Sequence, residues 1–178
     1  MRPMKQSKTR FLTTHAGSLP RQDELVALQV AQFQDQVIDA ERLQEMITMS
    51  TQNVIRQQAD AGIDIGNNGE QARESFFTYV QHRMSGFGGT SKRPAFQDMA
   101  RYPSWVKLKL PDYLGGVSLT AAPQAQSEVR YIDRNPLDAE LAQFDHLLQT
   151  AGQPFTETFV TAPSPGIIAA AMQNRYYE

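Results

Sequence analysis

A long amphipathic helix that stops at a glycine and hands the chain to a three-residue alternating strand constrains this 178-residue sequence more than any other feature. Asp39 is placed to cap the first turn, with Glu41 and Arg42 behind it. Leu43, Met46, Ile47, Val54 and Ile55 fall at offsets of 0, 3, 4, 11 and 12, with Ser50 at 7, a single stripe at helical spacing. The stripe predicts a helix to about Ala61, and Gly62 supplies the stop. Ile63-Asp64-Ile65 alternates and is too short for a helix, so the unit is a helix feeding a strand.

Similar units flank it. Phe11-Leu12-Thr13-Thr14 predicts a strand that stops at Gly17-Ser18-Leu19-Pro20, and a helix follows from Asp23 to about Gln34. After Ile65, Asn67-Asn68-Gly69-Glu70 opens a polar loop, and Phe76, Phe77, Val80 and Met84 predict one face of a further helix. Residues 85–111 hold Gly86, Gly88, Gly89, Pro94, Pro103 and Pro111 without a sustained period, which predicts a long excursion. Val117–Thr120 and Glu128–Ile132 are expected to form a small antiparallel ribbon. Asn135-Pro136 predicts the cap and first turn of a helix with Leu137, Leu141, Phe144, Leu148 and Ala151, ended by Gly152. Phe155–Thr161 is a third core strand, closed by Ala162-Pro163-Ser164-Pro165-Gly166, and a last helix starts near Ile167.

Strand and helix alternate, which favours parallel pairing with helices outside. The expected fold class is α/β, either a doubly wound sheet or part of a (β/α)₈ TIM barrel. A complete barrel takes about 250 residues. The expectation is therefore a partial barrel of about three parallel core strands with helices, plus the antiparallel ribbon, in a single domain over residues 1–178.

Composition narrows the function classes. Seventeen Lys+Arg against nineteen Asp+Glu give a net charge of −2, without the basic excess a nucleic-acid or anionic-membrane partner favours. No stretch approaches the roughly 18 apolar residues of a membrane span, and the basic start is followed by no apolar signal core. A cytoplasmic protein is expected. The absence of cysteine removes disulfides, thiol nucleophiles and thiolate metal sites, and His15, His82 and His146 are too scattered for a zinc site of this chain alone. No metal ligand is assigned.

Two loops can carry chemistry. At the first strand end, Gly17 lets a ligand approach the backbone, Ser18 offers an amide and a hydroxyl, and Arg21 can add charge, a set that suits a carboxylate. At the second, Glu70 would lie on the same rim in a barrel. An anion binder and an ammonium binder would then converge, as a free amino acid requires. The competing explanations are an ordinary Gly-Ser-Leu-Pro turn, and a helix N-terminal glutamate with Arg73 and Glu74 as surface neighbours. His15 is a candidate general acid or hydrogen-bond donor, and Asn67 and Asn68 are candidate pocket residues or turn formers. Ser164 is similarly ambiguous. His82 and His146 are expected at the surface, and Phe76, Phe77 and Tyr79 in packing.

The run Thr13-Thr14-His15-Ala16-Gly17-Ser18-Leu19-Pro20-Arg21 resembles the Thr-rich, Gly-Ser, Leu-Pro entry motif of the catalytic domain of cobalamin-independent methionine synthase and its relatives. Gly62-Ile63-Asp64-Ile65-Gly66-Asn67-Asn68-Gly69-Glu70-Gln71-Ala72-Arg73, followed by Phe76 and Tyr79-Val80, is similar in order and spacing to that family's Ile-Asp, Gly-Glu, Arg, Phe signature. Thr161-Ala162-Pro163-Ser164-Pro165 is a weaker third match. The resemblance implies a (β/α)₈ barrel that uses zinc to activate a thiol, typically homocysteine, for methyl transfer from a folate in methionine biosynthesis. It also implies that Gly17 and Ser18 receive the substrate carboxylate and that Glu70 receives the amino group.

The family's zinc ligands are a histidine, cysteines and a glutamate from later strands, and this chain has no cysteine and is read as ending after the third strand. His15-Ala16 stands where the synthase has an apolar residue, a pattern closer to shorter relatives. The resulting expectation is an N-terminal half-barrel that orients the amino acid and is incomplete as an enzyme on its own. The alternatives are a thiol transferase of the same group acting with a sulfonate thiol, a non-catalytic half-barrel that pairs through its open edge with a second copy or a complementary chain, and a cofactor-free barrel of the related uroporphyrinogen decarboxylase type.

Overall fold

Asp39 does cap the longest helix: its Oδ1 accepts the amide of Arg42 at 3.0 Å, and α2 runs Ala40–Asp60 behind α1, Asp23–Phe33. The computed structural model describes residues 4–91, 97–113 and 122–178. The predicted stripe is the buried face of α2, where Leu43, Met46 and Ile47 pack on Leu25 of α1. Gly62 leaves the helix with φ +73°, a left-handed conformation that costs glycine little.

The chain then enters β1, Ile65–Gly66. Thr14 forms a parallel bridge to Ile65 on one side. On the other side lies β4, Glu157–Thr158, also parallel, with Ile65 opposite Glu157 and Gly66 opposite Thr158. Hydrogen bonds extend the pairing past the short assigned strands: Thr13 O accepts from Ile65 N at 3.0 Å, and Gly66 O from Phe159 N at 3.1 Å. Three parallel segments thus lie side by side in chain order. Before β4 comes α5, Asn135–Thr150, whose Phe144, Leu147 and Leu148 pack on Ile55 of α2. Asn135 is the first helical residue of α5 rather than its cap; the cap position is Arg134.

Several expectations are corrected. No α-helix follows Glu70: residues 71–77 turn irregularly into a short 3₁₀ segment, Thr78–His82. Ser75 Oγ accepts the amide of Thr78 at 3.0 Å, and such local side-chain bonds compete with the helical ladder. The 85–111 excursion contains β2, Phe87–Gly88, α3, Gln97–Arg101, and the start of α4, Pro103–Tyr113, where Pro103 takes a first-turn position that needs no N–H donor. A small antiparallel ribbon lies among the described residues. β2 pairs antiparallel with β3, Gln124–Ala125, and Met84 bridges Tyr131. Glu128–Ile132 therefore faces residues 83–85, whereas Val117–Thr120 lies outside the described residues. The last helix, α6, spans Pro165–Ala171 and is capped by Ser164 Oγ, which accepts Ile167 N at 3.2 Å. The architecture is mixed α/β. Among the described residues no helix is long and apolar enough to cross a membrane.

Candidate functional site

The loops that leave the three parallel segments meet at one rim. The second loop is set by its asparagines: Asn67 Oδ1 accepts Gly69 N at 2.8 Å, and Asn68 Oδ1 accepts Glu70 N at 3.1 Å. These bonds hold Gly69 and Glu70 at φ +59° and +57°. For Glu70 that is a left-handed backbone, a conformation that is uncommon outside glycine and that marks a locally over-determined position. Leu19 N donates to Gly69 O at 3.0 Å and ties the first loop to the second.

Glu70 is 1% exposed. Its Oε2 accepts from Ser18 Oγ at 2.6 Å, and its Oε1 accepts from Thr161 Oγ1 at 2.8 Å. Each of the three loops therefore contributes to one carboxylate. Among the described residues no side-chain cation lies within ion-pair distance of it. The cleft above it, about 460 Å³, is lined by Ala16, Gly17, Ser18, Glu70, Phe76, Thr161 and Ala162. A buried carboxylate bonded only by neutral hydroxyls retains acceptor capacity for a cationic ligand.

The other predicted residues separate into those at the cleft and those beneath it. Gly17 and Ser18 line it, with Gly17 at φ +104°. Arg21 does not line the cleft. Its Nη2 donates to the carbonyls of Glu70 and Arg73 at 2.8 and 2.7 Å, and burial pushes its pKa down, opposed by Glu70 and Glu74. His15 turns its ring onto its own loop, Nε2 donating to Gly17 O at 3.1 Å, while its carbonyl accepts from Asn67 Nδ2 at 2.6 Å. Asn68 directs its amide inward to Glu140 Oε1 at 2.9 Å. His82 lies 3.6 Å from Glu74, and Ser164 serves the α6 cap.

Arg73, which one sequence-based explanation placed at the surface, is 1% exposed. It pairs with Glu140 at 2.9 Å and donates to Thr161 O at 2.8 Å. Arg83 joins the same glutamate at 2.6 Å, and both guanidinium groups lie over the Tyr79 ring at 4.6 and 4.7 Å. Sequence reasoning assigned no role to Thr161, Glu140 or Arg83. One signal was available: Glu140 falls within the apolar stripe of α5, three residues after Leu137 and four before Phe144.

The zinc that the family resemblance implies finds no matching donors here. The chain has no cysteine. Among the described residues no group of three His, Cys, Asp or Glu side chains is arranged to hold a metal ion.

The family described as cobalamin-independent synthase, catalytic domain, matches residues 11–120. No curated protein matches the chain. Among solved structures, a B12-independent methionine synthase from Shewanella sp. W3-18-1, in complex with selenomethionine, is similar over 93% of this chain, with a TM-score of 0.59 and 19% identity. The matched region is 41% of that structure's chain, so this chain spans less than half the length of the protein it resembles. At that identity the likeness bears on the fold.

Proposed function

We propose, for a chain that belongs to the cobalamin-independent synthase family through its catalytic domain, that it carries the amino-acid-orienting part of a methionine-synthase-like (β/α)₈ barrel. In this role it serves methyl transfer from a folate to a thiol such as homocysteine. Residues 1–178 form one domain, the N-terminal portion of that barrel, and its three adjacent parallel segments are the first strands. The Gly17–Ser18 turn receives the substrate carboxylate on its amides, and Glu70 receives the ammonium group.

One observation carries this proposal. Glu70 is buried at the rim of a cleft, fixed by Ser18 and Thr161, with no cation of the described residues upon it. Desolvating a carboxylate is costly unless a positive partner or several donors compensate, and an amino-acid ammonium is such a partner. In this reading the amide of Ser18, which lines the same cleft, takes the opposite end of the zwitterion. Thiol activation is not assigned to any residue of this chain, which has no cysteine.

Calorimetry with homocysteine and with methionine tests the proposal. The wild type binds, and Glu70→Gln, which keeps the shape and removes the charge, weakens binding at least about tenfold, or roughly 1.4 kcal/mol. Unchanged affinity in Glu70→Gln overturns the assignment. A sulfonate thiol in the same experiment separates a thiol transferase from an amino-acid enzyme.

A second proposal rests on the sheet edge. Among the described residues β4 takes a partner on one side only, so its other edge offers unpaired backbone groups to a second copy or a complementary half-barrel. Sedimentation at micromolar concentration distinguishes the two states: a dimer supports edge pairing and a monomer removes it.

A further inference from the structure

Resting on the assignment of Glu70 as the ammonium seat, we propose that Glu140 of α5 is a positioning residue that keeps Arg73 off Glu70 and so leaves that carboxylate open to a substrate cation. Glu140 is 7% exposed. Its Oε1 accepts from Asn68 Nδ2 at 2.9 Å and from Arg73 Nε at 3.0 Å, and its Oε2 accepts from Arg83 Nη2 at 2.6 Å. A carboxylate at this depth persists only with such donors.

Two of those donors lead to Glu70. Asn68 links Glu140 to the Glu70 amide, which its Oδ1 accepts at 3.1 Å, so Glu140 fixes the side chain that supports the left-handed backbone. Arg73 Nη1 donates to Thr161 Oγ1 at 3.2 Å, and that hydroxyl donates to Glu70 Oε1 at 2.8 Å. A single hydroxyl therefore separates a buried guanidinium from a buried carboxylate. Attraction between opposite charges is strong where water is excluded. A competing anion is needed to stop the guanidinium closing onto Glu70, and Glu140 supplies it through Oε1, which both Nε and Nη2 of Arg73 approach, at 3.0 and 2.9 Å. The Tyr79 ring, 4.6 Å from Arg73, supports the other side. Were Arg73 seated on Glu70, no net charge would remain there to attract an ammonium group.

The test compares wild type, Glu140→Gln and the double variant Glu140→Gln/Arg73→Gln by crystallography and by calorimetry with homocysteine and methionine. In Glu140→Gln, Arg73 moves onto Glu70 and affinity falls at least about tenfold; in the double variant, which lacks the Arg73 guanidinium that hydrogen-bonds Thr161 beside Glu70, affinity returns to within about threefold of wild type. A purely structural role would not yield that recovery. Arg73 staying on Thr161 with affinity unchanged overturns the proposal, as does a folded double variant that binds as weakly as the single one. If Glu140→Gln does not fold, the double variant decides alone, wild-type-like affinity supporting the proposal and lost affinity overturning it. A wild type that binds neither amino acid defeats the assignment of Glu70, while the position of Arg73 in Glu140→Gln still decides the role of Glu140.

Discussion

Ser18 Oγ donates to Glu70 Oε2 at 2.6 Å across 52 residues of sequence, joining the loops that follow the first two parallel segments. The bond orients the carboxylate from one side as Thr161 does from the other at 2.8 Å. Two hydroxyl donors restrict the rotation of the carboxylate, the preorganisation that the proposed zwitterion seat requires.

Ser18→Ala removes one of those donors and keeps the amide. Binding of methionine is expected to weaken by less than in Glu70→Gln, within about tenfold, because the Glu70 carboxyl and the backbone amide proposed to take the substrate carboxylate both remain. Calorimetry on the two variants side by side checks the order; a larger loss in Ser18→Ala would make the hydroxyl, not the charge, the main determinant.

Asp64 gives the fold a pH dependence. Arg10, followed by the amide and hydroxyl of Thr13, holds its carboxyl well below the usual carboxylate range. Arg10 Nη1 donates to Oδ2 at 2.7 Å, and Thr13 N donates to the same oxygen at 2.9 Å. A depressed folded-state pKa stabilises the fold fully above the unfolded-state value of about 4, and that stabilisation is lost as pH falls from there through the folded-state value. Urea unfolding between pH 6 and pH 2 should show a steeper loss in wild type than in Asp64→Asn. Parallel curves would remove Asp64 as the cause.

Gly66 has no room for a side chain. A Cβ there would come within 2.3 Å of the Phe155 ring, on the central strand between Thr14 and β4. Gly66→Ala is expected to cost about 1–3 kcal/mol through forced displacement of that ring. Gly62→Ala meets nothing within 4 Å and carries only the strain of φ +73°, about 1–2 kcal/mol. Denaturant midpoints of both variants, with a repacked Phe155 sought by crystallography in the first, test the distinction.

Phe144 anchors α5 to α2 with Ile55, Leu147 and Leu148. Phe144→Ala should destabilise the fold by about 3–5 kcal/mol by opening a cavity at the helix interface. Because Glu140 sits one turn earlier on α5, methionine affinity should fall as well, and calorimetry below the melting transition measures that coupling. A folded variant with unchanged affinity would show that the site tolerates movement of α5.

The α2 stripe, its Asp39 cap and its Gly62 stop were legible because each depends on neighbours within about two turns of helix. That a strand follows Gly62 was legible for the same reason, although it forms at Ile65–Gly66 and it is Asp64, not the flanking isoleucines, that is buried. The helix expected after Glu70 was not found, because its apolar spacing was real but Ser75, Thr78 and the left-handed Glu70 impose other bonds on the backbone. The pairing of Glu128–Ile132 with residues 83–85 was not legible, since a short strand carries no mark of which distant segment will accept its hydrogen bonds. At the site, Gly17, Ser18 and Glu70 could be named from motif order. Thr161 lies 91 residues from Glu70 and Glu140 lies 67 from Arg73, and nothing local announces either contact.

The sequence alone determined where α1 and α2 start and stop, which face of α2 is apolar, and which motif residues stand at the strand ends, because capping, periodicity and turn chemistry act over short separations. Only the tertiary structure decided that Ser18 and Thr161 would share one carboxylate and that Arg73 would lie buried on Glu140. Those outcomes depend on electrostatic partners brought together by packing, and a buried charge takes its place from whatever the fold sets beside it.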